Sequence, residues 1–211
     1  MPVDLSLYLV TDRHLGGGIG LVETVTAAVR GGVTAVQLRD KHASDAELID
    51  QARRLKAALA GSGVPLIIND RLEVALAAGA DGLHIGQDDG EVAAARAALG
   101  EQAILGLSVQ TLDQLARIDA EHLDYLGLGP VFATPSKHDH ATPLGFAGLA
   151  ALVAASPLPS VAIGGLKAEH VAAVRTAGAG GLAVISAICG APDPEAAARA
   201  FSTPAHPAAA H

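Results

Sequence analysis

The chain has 211 residues, half of them apolar, and a mean hydropathy of +0.37. This composition is sufficient for one full hydrophobic core and favours a single domain over two small ones. The formal charge of −8 argues against a nucleic-acid-binding protein, because that function requires a basic surface.

The amino-terminal stretch MPVDLSLYLV lacks the basic start and long apolar run of a signal peptide. No window of the sequence reaches the roughly 20 apolar residues that a membrane span requires. Cys189 is the single cysteine, so no internal disulfide can form, and its apolar surroundings indicate a buried, unreactive thiol. These features lead us to expect a cytoplasmic protein without membrane or nucleic-acid partners.

Eight short apolar runs follow one another along the chain, and each predicts a buried strand. They are LYLV (7–10), TAVQL (34–38), PLIIN (65–69), GLHI (82–85), AILGLS (103–108), YLGLG (125–129), SVAIG (160–164) and GLAVI (181–185).

Helix signals separate the strands. Ser44 with Glu47, and Thr111 with Gln114, each predict a capping box, before the helical segments ELIDQARRLKAAL (47–59) and DQLARIDA (113–120). The segments EVALAAG (73–79) and AAVRTAG (172–178) end in glycine, as helices often do. Another helix is expected to begin near Phe146.

Alternating strands and helices predict an α/β fold with parallel strands. Eight such units of near-equal length favour a single (β/α)8 barrel over an open doubly wound sheet. We expect the barrel to occupy residues 1–202, and the Pro- and Ala-rich residues 203–211 to form a disordered tail. In either fold, functional residues collect at the carboxyl ends of the strands.

Three cations follow these strands and suggest a diphosphate site. In the strand beginning VQLRDK, side chains alternate in direction, so Gln37, Arg39 and Lys41 share one face. Lys137 follows the sixth strand. Arginine and lysine together suit phosphate oxygens, although a salt bridge from Arg39 to Asp40 or Asp12 would explain Arg39 alone.

Two acids end neighbouring strands, Asp70 in IND and Asp89 in GQDD. A carboxylate pair beside cations offers Mg²⁺ part of an oxygen shell and leaves positions for phosphate and water. Asp88 is an alternative ligand, and both Asp70 and Asp89 could also serve as helix N-caps.

Glycine-rich turns follow the last two strands, in AIGGL and in GLAVIS. Backbone N–H groups at this place in a barrel commonly hold a monophosphate. The sequence shows neither a Ser/His/Asp triad nor a Cys/His metal site. His84 lies within a strand and is expected to be packed rather than catalytic, and His138 and His140 are expected to be solvated.

Nine motifs in this order resemble the thiamine-phosphate synthase family over nearly the whole chain. They are YLVTD, VQLRDK, IIND, DGLHIGQDD, GLSVQT, YLGLGPVFATPSK, PLG, VAIGGL and GLAVISAI. The resemblance implies a (β/α)8 barrel that joins a pyrimidine diphosphate to a thiazole phosphate and releases pyrophosphate with Mg²⁺.

The resemblance also implies roles for particular residues. The pyrimidine diphosphate would be bound by Gln37, Arg39, Lys41, Asn69, Ser108 and Lys137, among which Arg39, Lys41, Ser108 and Lys137 would act in catalysis. Asp70 and Asp89 would bind Mg²⁺. The thiazole phosphate would be bound by Thr134, Pro135, Ser136, Gly165, Ile185 and Ser186. A homo-oligomer is compatible with the resemblance, and the sequence does not specify one.

Two other functions compete with this one. The related thiazole tautomerase carries histidine where this chain has Pro130, and it lacks the acids of IND and GQDD. A non-catalytic phosphate-binding regulator would not need Arg39, Lys41 and the acid pair. One departure from the synthase pattern is Gln110, where histidine is frequent. The polar segment 135–145 is expected to close over bound substrate.

Overall fold

A computed structural model describes residues 3–13, 15, 19–133 and 142–202. The predicted tail at 203–211 lies outside this description, as do residues 135–141 of the predicted lid, which include His138 and His140. Within it, no helix is long and apolar enough to cross a membrane.

The structure is a closed barrel of eight parallel strands in the order of the sequence. Each strand lies within one residue of its predicted position at both ends. Five of the eight are buried at every residue, because the barrel interior covers one face and the helices cover the other. The strands are β1 Leu7–Val10, β2 Ala35–Leu38, β3 Leu66–Asn69, β4 Gly82–Ile85, β5 Ile104–Val109, β6 Tyr125–Leu128, β7 Ser160–Ile163 and β8 Gly181–Val184.

Alternate strand residues divide into an inner and an outer set, as the two-residue strand period requires. Tyr8, Ile67 and Tyr125 belong to the cluster inside the barrel. Val36 and Leu38 belong to the larger cluster between barrel and helices. The prediction that Val36 and Leu38 face away from Gln37 is therefore confirmed.

Nine α-helices lie in the described part of the chain, and the first eight each follow a strand. They are α1 Leu21–Arg30, α2 Asp45–Leu59, α3 Leu72–Ala78, α4 Val92–Leu99, α5 Leu112–Leu115, α6 Gly145–Ala155, α7 Val171–Thr176, α8 Ser186–Cys189 and α9 Pro194–Ser202. The additional helix α9 packs against α1, where Arg30 forms an ion pair with Glu195 at 2.8 Å.

The capping signals were predicted with unequal success. Ser44 and Glu47 form the complete capping box at the start of α2. Thr111 accepts a hydrogen bond from Gln114 N, but the Gln114 side chain accepts from Gln110 N at 2.7 Å instead of closing the box. The second bond of the predicted capping box, from Thr111 N to the Gln114 side chain, is therefore wrong. Helix α5 ends at Leu115, well before the end of the predicted helix.

Candidate active site

A cavity of about 950 Å³ opens at the carboxyl ends of the strands. Ten residues predicted to bind substrate or metal line it: Gln37, Arg39, Lys41, Asn69, Asp70, Asp89, Ser108, Gly165, Ile185 and Ser186. They come from β2, β3 and β5, from the loops that follow β2, β3, β4 and β7, and from the start of α8. The parallel barrel brings them together because all eight strands end on the same side.

The cationic side of the cavity is formed by the end of β2. Gln37, Arg39 and Lys41 all line the cavity, as side-chain alternation predicts. Asp40 turns elsewhere: its Oδ2 lies 3.1 Å from Arg13 Nε, and its Oδ1 accepts from the N–H groups of His42 and Ala43. The Asp40 carboxylate therefore contacts Arg13 and two backbone N–H groups of its own loop.

Two carboxyl groups meet at the ends of β3 and β4. Burial, followed by a hydrogen bond to the Asp89 carboxyl and the charge of that group, raises the pKa of Asp70 to about 6. The Asn69 side chain and the charge of Lys41 act in the opposite direction. Asp89 Oδ2 also accepts from Gly86 N at 2.7 Å, which fixes its loop.

This pair suits a divalent cation, because two adjacent carboxylates repel each other until a cation separates them. Asp70 has φ of 63°, a left-handed conformation that aspartate tolerates better than most residues. The N-caps of α3 and α4 are Arg71 and Glu91, so the alternative that Asp70 and Asp89 are N-caps is wrong. Asp88 also lines the cavity, but the contact with Asp70 is made by Asp89.

Among the described residues, no group of three or more Asp, Glu, His or Cys side chains could hold a metal by itself. A magnesium ion on Asp70 and Asp89 would therefore need further ligands from substrate phosphate and water. Such a partial shell is typical of magnesium ions that act together with a phosphorylated substrate.

Ser108 joins the cavity to a buried histidine. Its Oγ lies 2.9 Å from His84 Nε2, and the carbonyl of Ser108 accepts from Gln87 Nε2 at 2.7 Å. His84 is packed as expected, at 8% exposure, yet it also lines the cavity. Its link to Ser108 was missed, although an inward histidine on the strand next to Ser108 was a signal for it.

The opposite side of the cavity carries the glycine-rich turns. Gly165 has φ of 64°, and a Cβ there would collide with Phe132. Ile185 and Ser186 stand at the start of α8, where the first N–H groups have no partner within the helix. This place can offer backbone donors to an anion, as the sequence predicts.

Four predicted site residues lie outside the described residues: Thr134, Pro135, Ser136 and Lys137. Their assigned roles stay predictions. Gln110, the departure from the family pattern, lines the cavity, and its N–H is taken by the Gln114 side chain.

Comparison with known proteins assigns the family. The profile of the family described as thiamine monophosphate synthase matches residues 7–188. The chain belongs to this family. It is accordingly a transferase of thiamine biosynthesis.

Similar proteins support the same assignment over nearly full length. The chain is 54% identical to thiamine-phosphate synthase of Azorhizobium caulinodans over 96% of this chain and 95% of the relative. It is 56% identical to the protein of that name from a Psychrobacter species, covering 92% of each. The solved structure of thiamine phosphate pyrophosphorylase from Pyrococcus furiosus superposes with a TM-score of 0.85 at 34% identity, covering 95% of both chains. These likenesses do not favour the tautomerase or the regulator.

Proposed function

We propose that this protein joins 4-amino-2-methyl-5-(diphosphooxymethyl)pyrimidine to 4-methyl-5-(2-phosphooxyethyl)thiazole, giving thiamine phosphate and pyrophosphate. The observation that carries the proposal is one cavity in which Arg39 and Lys41 stand beside the Asp70–Asp89 pair. A cationic strand end next to a carboxylate pair suits a substrate that carries a diphosphate and a divalent ion.

In this reaction the bond between the pyrimidine methylene carbon and a diphosphate oxygen breaks. The electron-rich aminopyrimidine stabilises the positive charge left on that carbon, and the thiazole nitrogen then forms the new C–N bond. Arg39 and Lys41, with Lys137, would stabilise the negative charge that develops on the departing diphosphate. No protein nucleophile is required.

Asp70 and Asp89 would hold Mg²⁺ in the proposed enzyme. When bound, the ion would neutralise charge on the diphosphate oxygens. Asn69 and Gln37 line the same side of the cavity and would orient the pyrimidine diphosphate.

The thiazole phosphate would lie against the opposite wall, at Gly165, Ile185 and Ser186, with Thr134, Pro135 and Ser136 completing its site. Backbone N–H groups at the start of α8 would hold the phosphate. The proposed location is the cytoplasm, because the single cysteine, Cys189, is a free and buried thiol. Burial raises the pKa of this thiol to about 11.

The test is release of pyrophosphate and formation of thiamine phosphate by the purified protein given both substrates. We expect activity with Mg²⁺, none with excess EDTA, and a loss of about 10²–10³-fold in kcat/KM in Arg39→Ala. Arg54→Ala is the matched control, since Arg54 is exposed on α2 away from the cavity. Product formation that is insensitive to EDTA, or equal in Arg39→Ala and Arg54→Ala, would contradict the proposal.

A further inference from the structure

A continuous chain of five hydrogen-bonded side chains crosses the inside of the barrel. Gln37 Nε2 donates to Tyr8 Oη at 3.0 Å, and Tyr8 Oη lies 2.8 Å from Tyr125 Oη. Tyr125 Oη lies 2.8 Å from His84 Nδ1, and His84 Nε2 lies 2.9 Å from Ser108 Oγ. We call these five residues the relay. Its ends, Gln37 and Ser108, both line the cavity and are both predicted to bind the pyrimidine diphosphate.

The barrel interior is shaped to hold the relay. A Cβ at Gly106 would collide with the Tyr125 ring and lie 2.6 Å from His84 Nδ1. A Cβ at Gly127 would lie 3.1 Å from His84 Cε1. Two inward positions on β5 and β6 therefore have glycine where a larger residue would displace the histidine or the tyrosine. Tyr8 and Tyr125 are almost completely buried, at 1% and 0% exposure.

The hydrogen-bond direction at one end of the relay determines the direction at every other link. Burial raises the pKa of both phenols well above its usual value, so each keeps one proton to donate. Tyr8 accepts from Gln37, so it donates to Tyr125, because otherwise its buried proton would have no acceptor. Tyr125 then donates to His84 Nδ1. His84 therefore carries its proton on Nε2, which donates to Ser108 Oγ.

The direction of the relay determines which groups its two ends can offer to a ligand in the cavity. When Gln37 donates to Tyr8, the Gln37 amide oxygen can still accept a hydrogen bond. The Ser108 hydroxyl accepts from His84, so its own proton can be donated to a ligand. If the Gln37 amide turned over, every link would reverse: Tyr8 would donate to Gln37, and Ser108 would donate to His84. Gln37 would then offer N–H groups to the cavity and Ser108 only lone pairs.

We propose that Tyr8, Tyr125 and His84 are positioning residues that couple the amide orientation of Gln37 to the hydroxyl direction of Ser108. The two ends of the relay then present opposite hydrogen-bonding characters to the ligand. This inference rests on the proposed function for its ligand: an aminopyrimidine, whose amino group donates to Gln37 and whose ring nitrogen accepts from Ser108. The coupling itself is a property of the free protein.

The decisive experiment reads the tautomer of His84 without any substrate. The full chain is labelled with ¹⁵N-histidine, and long-range ¹H–¹⁵N correlation spectra are recorded at pH 8, with His84→Gln assigning the His84 signals. We expect the proton on Nε2 in the wild type. In Gln37→Glu the carboxylate can only accept from Tyr8, so the relay reverses and the proton moves to Nδ1. A folded Gln37→Glu protein in which His84 keeps the Nε2 proton would overturn the proposal.

A second experiment uses Tyr125→Phe, which interrupts the hydrogen-bonded relay at its central residue. Tyr125→Phe separates residue 37 from His84, so adding Gln37→Glu to it should no longer change the tautomer. In activity assays, the loss of kcat/KM caused by Gln37→Glu should be at least about 5-fold smaller in the Tyr125→Phe background. Thr34→Val is the matched control: it removes a hydroxyl that bonds the amino end of β1, and its effect should add independently to that of Gln37→Glu. If Gln37→Glu lowered kcat/KM by the same factor in the wild-type protein and in the Tyr125→Phe variant, the coupling would be contradicted.

If Gln37→Glu does not fold, Tyr8→Phe replaces it. Without Tyr8, the buried Tyr125 proton has only His84 Nδ1 as an acceptor, so His84 should keep its proton on Nε2. A proton on Nδ1 in folded Tyr8→Phe would contradict the hydrogen-bond directions of the relay and with them the proposal. These readings are independent of the assigned reaction, because failure of the joining assay would not change the His84 spectra.

Discussion

The two ends of the barrel use charged residues in different ways. At the amino end, Asp81 precedes β4 and Asp124 precedes β6, and each accepts from the N–H of a residue in the preceding strand and from a cation. Lys56 Nζ lies 2.6 Å from Asp81 Oδ1, and Arg96 Nη2 lies 2.7 Å from Asp124 Oδ2. The protein itself satisfies these charges, so they hold the barrel together.

At the carboxyl end, the acids Asp70 and Asp89 contact each other. Burial, together with the contact with Asp89, raises the pKa of Asp70 to about 6, and the cations Arg39 and Lys41 line the same cavity. A carboxyl group whose pKa is raised by burial and by a neighbouring acid, beside cations in a cavity, is typical of a functional site. The barrel therefore separates stability at one end from chemistry at the other, and the predictions below test that separation.

The largest effect is expected from Asp89→Ala. Activity should fall by about 10²-fold or more, since the diphosphate would lose the ion that Asp89 helps to hold. Steady-state pyrophosphate release measures the loss, and thermal unfolding without metal should change little. Asp88→Ala distinguishes the neighbouring acids: a greater loss in Asp88→Ala than in Asp89→Ala would move the proposed metal ligand to Asp88.

Next comes Arg96→Met at the amino end. The Arg96 side chain is 7% exposed and also donates to the carbonyls of Gly100, Ala103 and His122. Its loss removes a donor from three part-buried carbonyls and the cation from Asp124, and we expect a destabilisation of about 2–3 kcal/mol. Calorimetry should show Tm lowered by about 5–10 °C. Activity per folded molecule at low temperature should be unchanged, and a large loss of kcat there would contradict the separation.

Asp70→Asn should have opposite effects on stability and activity. The pKa of Asp70 is raised to about 6, so ionisation opposes folding: stability is lost as pH rises from the ordinary aspartate range through 6, and stays lower above it. Asparagine removes this cost and tolerates the left-handed backbone. At pH 8 in EDTA we expect a gain of about 1 kcal/mol, discounted for partial exposure, together with loss of activity. An unchanged or lowered Tm at pH 8, with a wild-type Tm at pH 4, would be the contrary result.

The smallest effect is expected from Lys56→Met. The Lys56–Asp81 ion pair occupies a position similar to that of Arg96–Asp124. Its side chains are 34% and 37% exposed, so water screens the interaction. We expect less than about 1 kcal/mol, seen as a shift of a few degrees at most in Tm. A loss equal to that of Arg96→Met would show that burial does not explain the difference between the two pairs.

The strands could be predicted from the sequence because a strand covered on both faces is a continuous apolar run. The face shared by Gln37, Arg39 and Lys41 followed from alternation alone. The α5 helix was overestimated, because nothing in the sequence shows that Gln114 will cap Gln110 N instead of Thr111 N.

Apart from the link between His84 and Ser108 on neighbouring strands, the relay could not be predicted, since its contacts are long-range. Tyr8 and Tyr125 are 117 residues apart, and His84 and Tyr125 are 41 apart. The strand register sets such distances across the barrel, and no local pattern reports them. Lys137 and the lid around it stay predictions, because residues 134–141 are not among those described.

The most direct test of the account is a crystal structure grown with Mn²⁺ in place of Mg²⁺, together with pyrophosphate and thiamine phosphate. The account predicts an anomalous-scattering peak at metal–oxygen distances of about 2.0–2.3 Å from both Asp70 and Asp89. Pyrophosphate should lie between that ion and Arg39. A metal bound at the amino end, or pyrophosphate held without contact to Arg39 or the two acids, would contradict it.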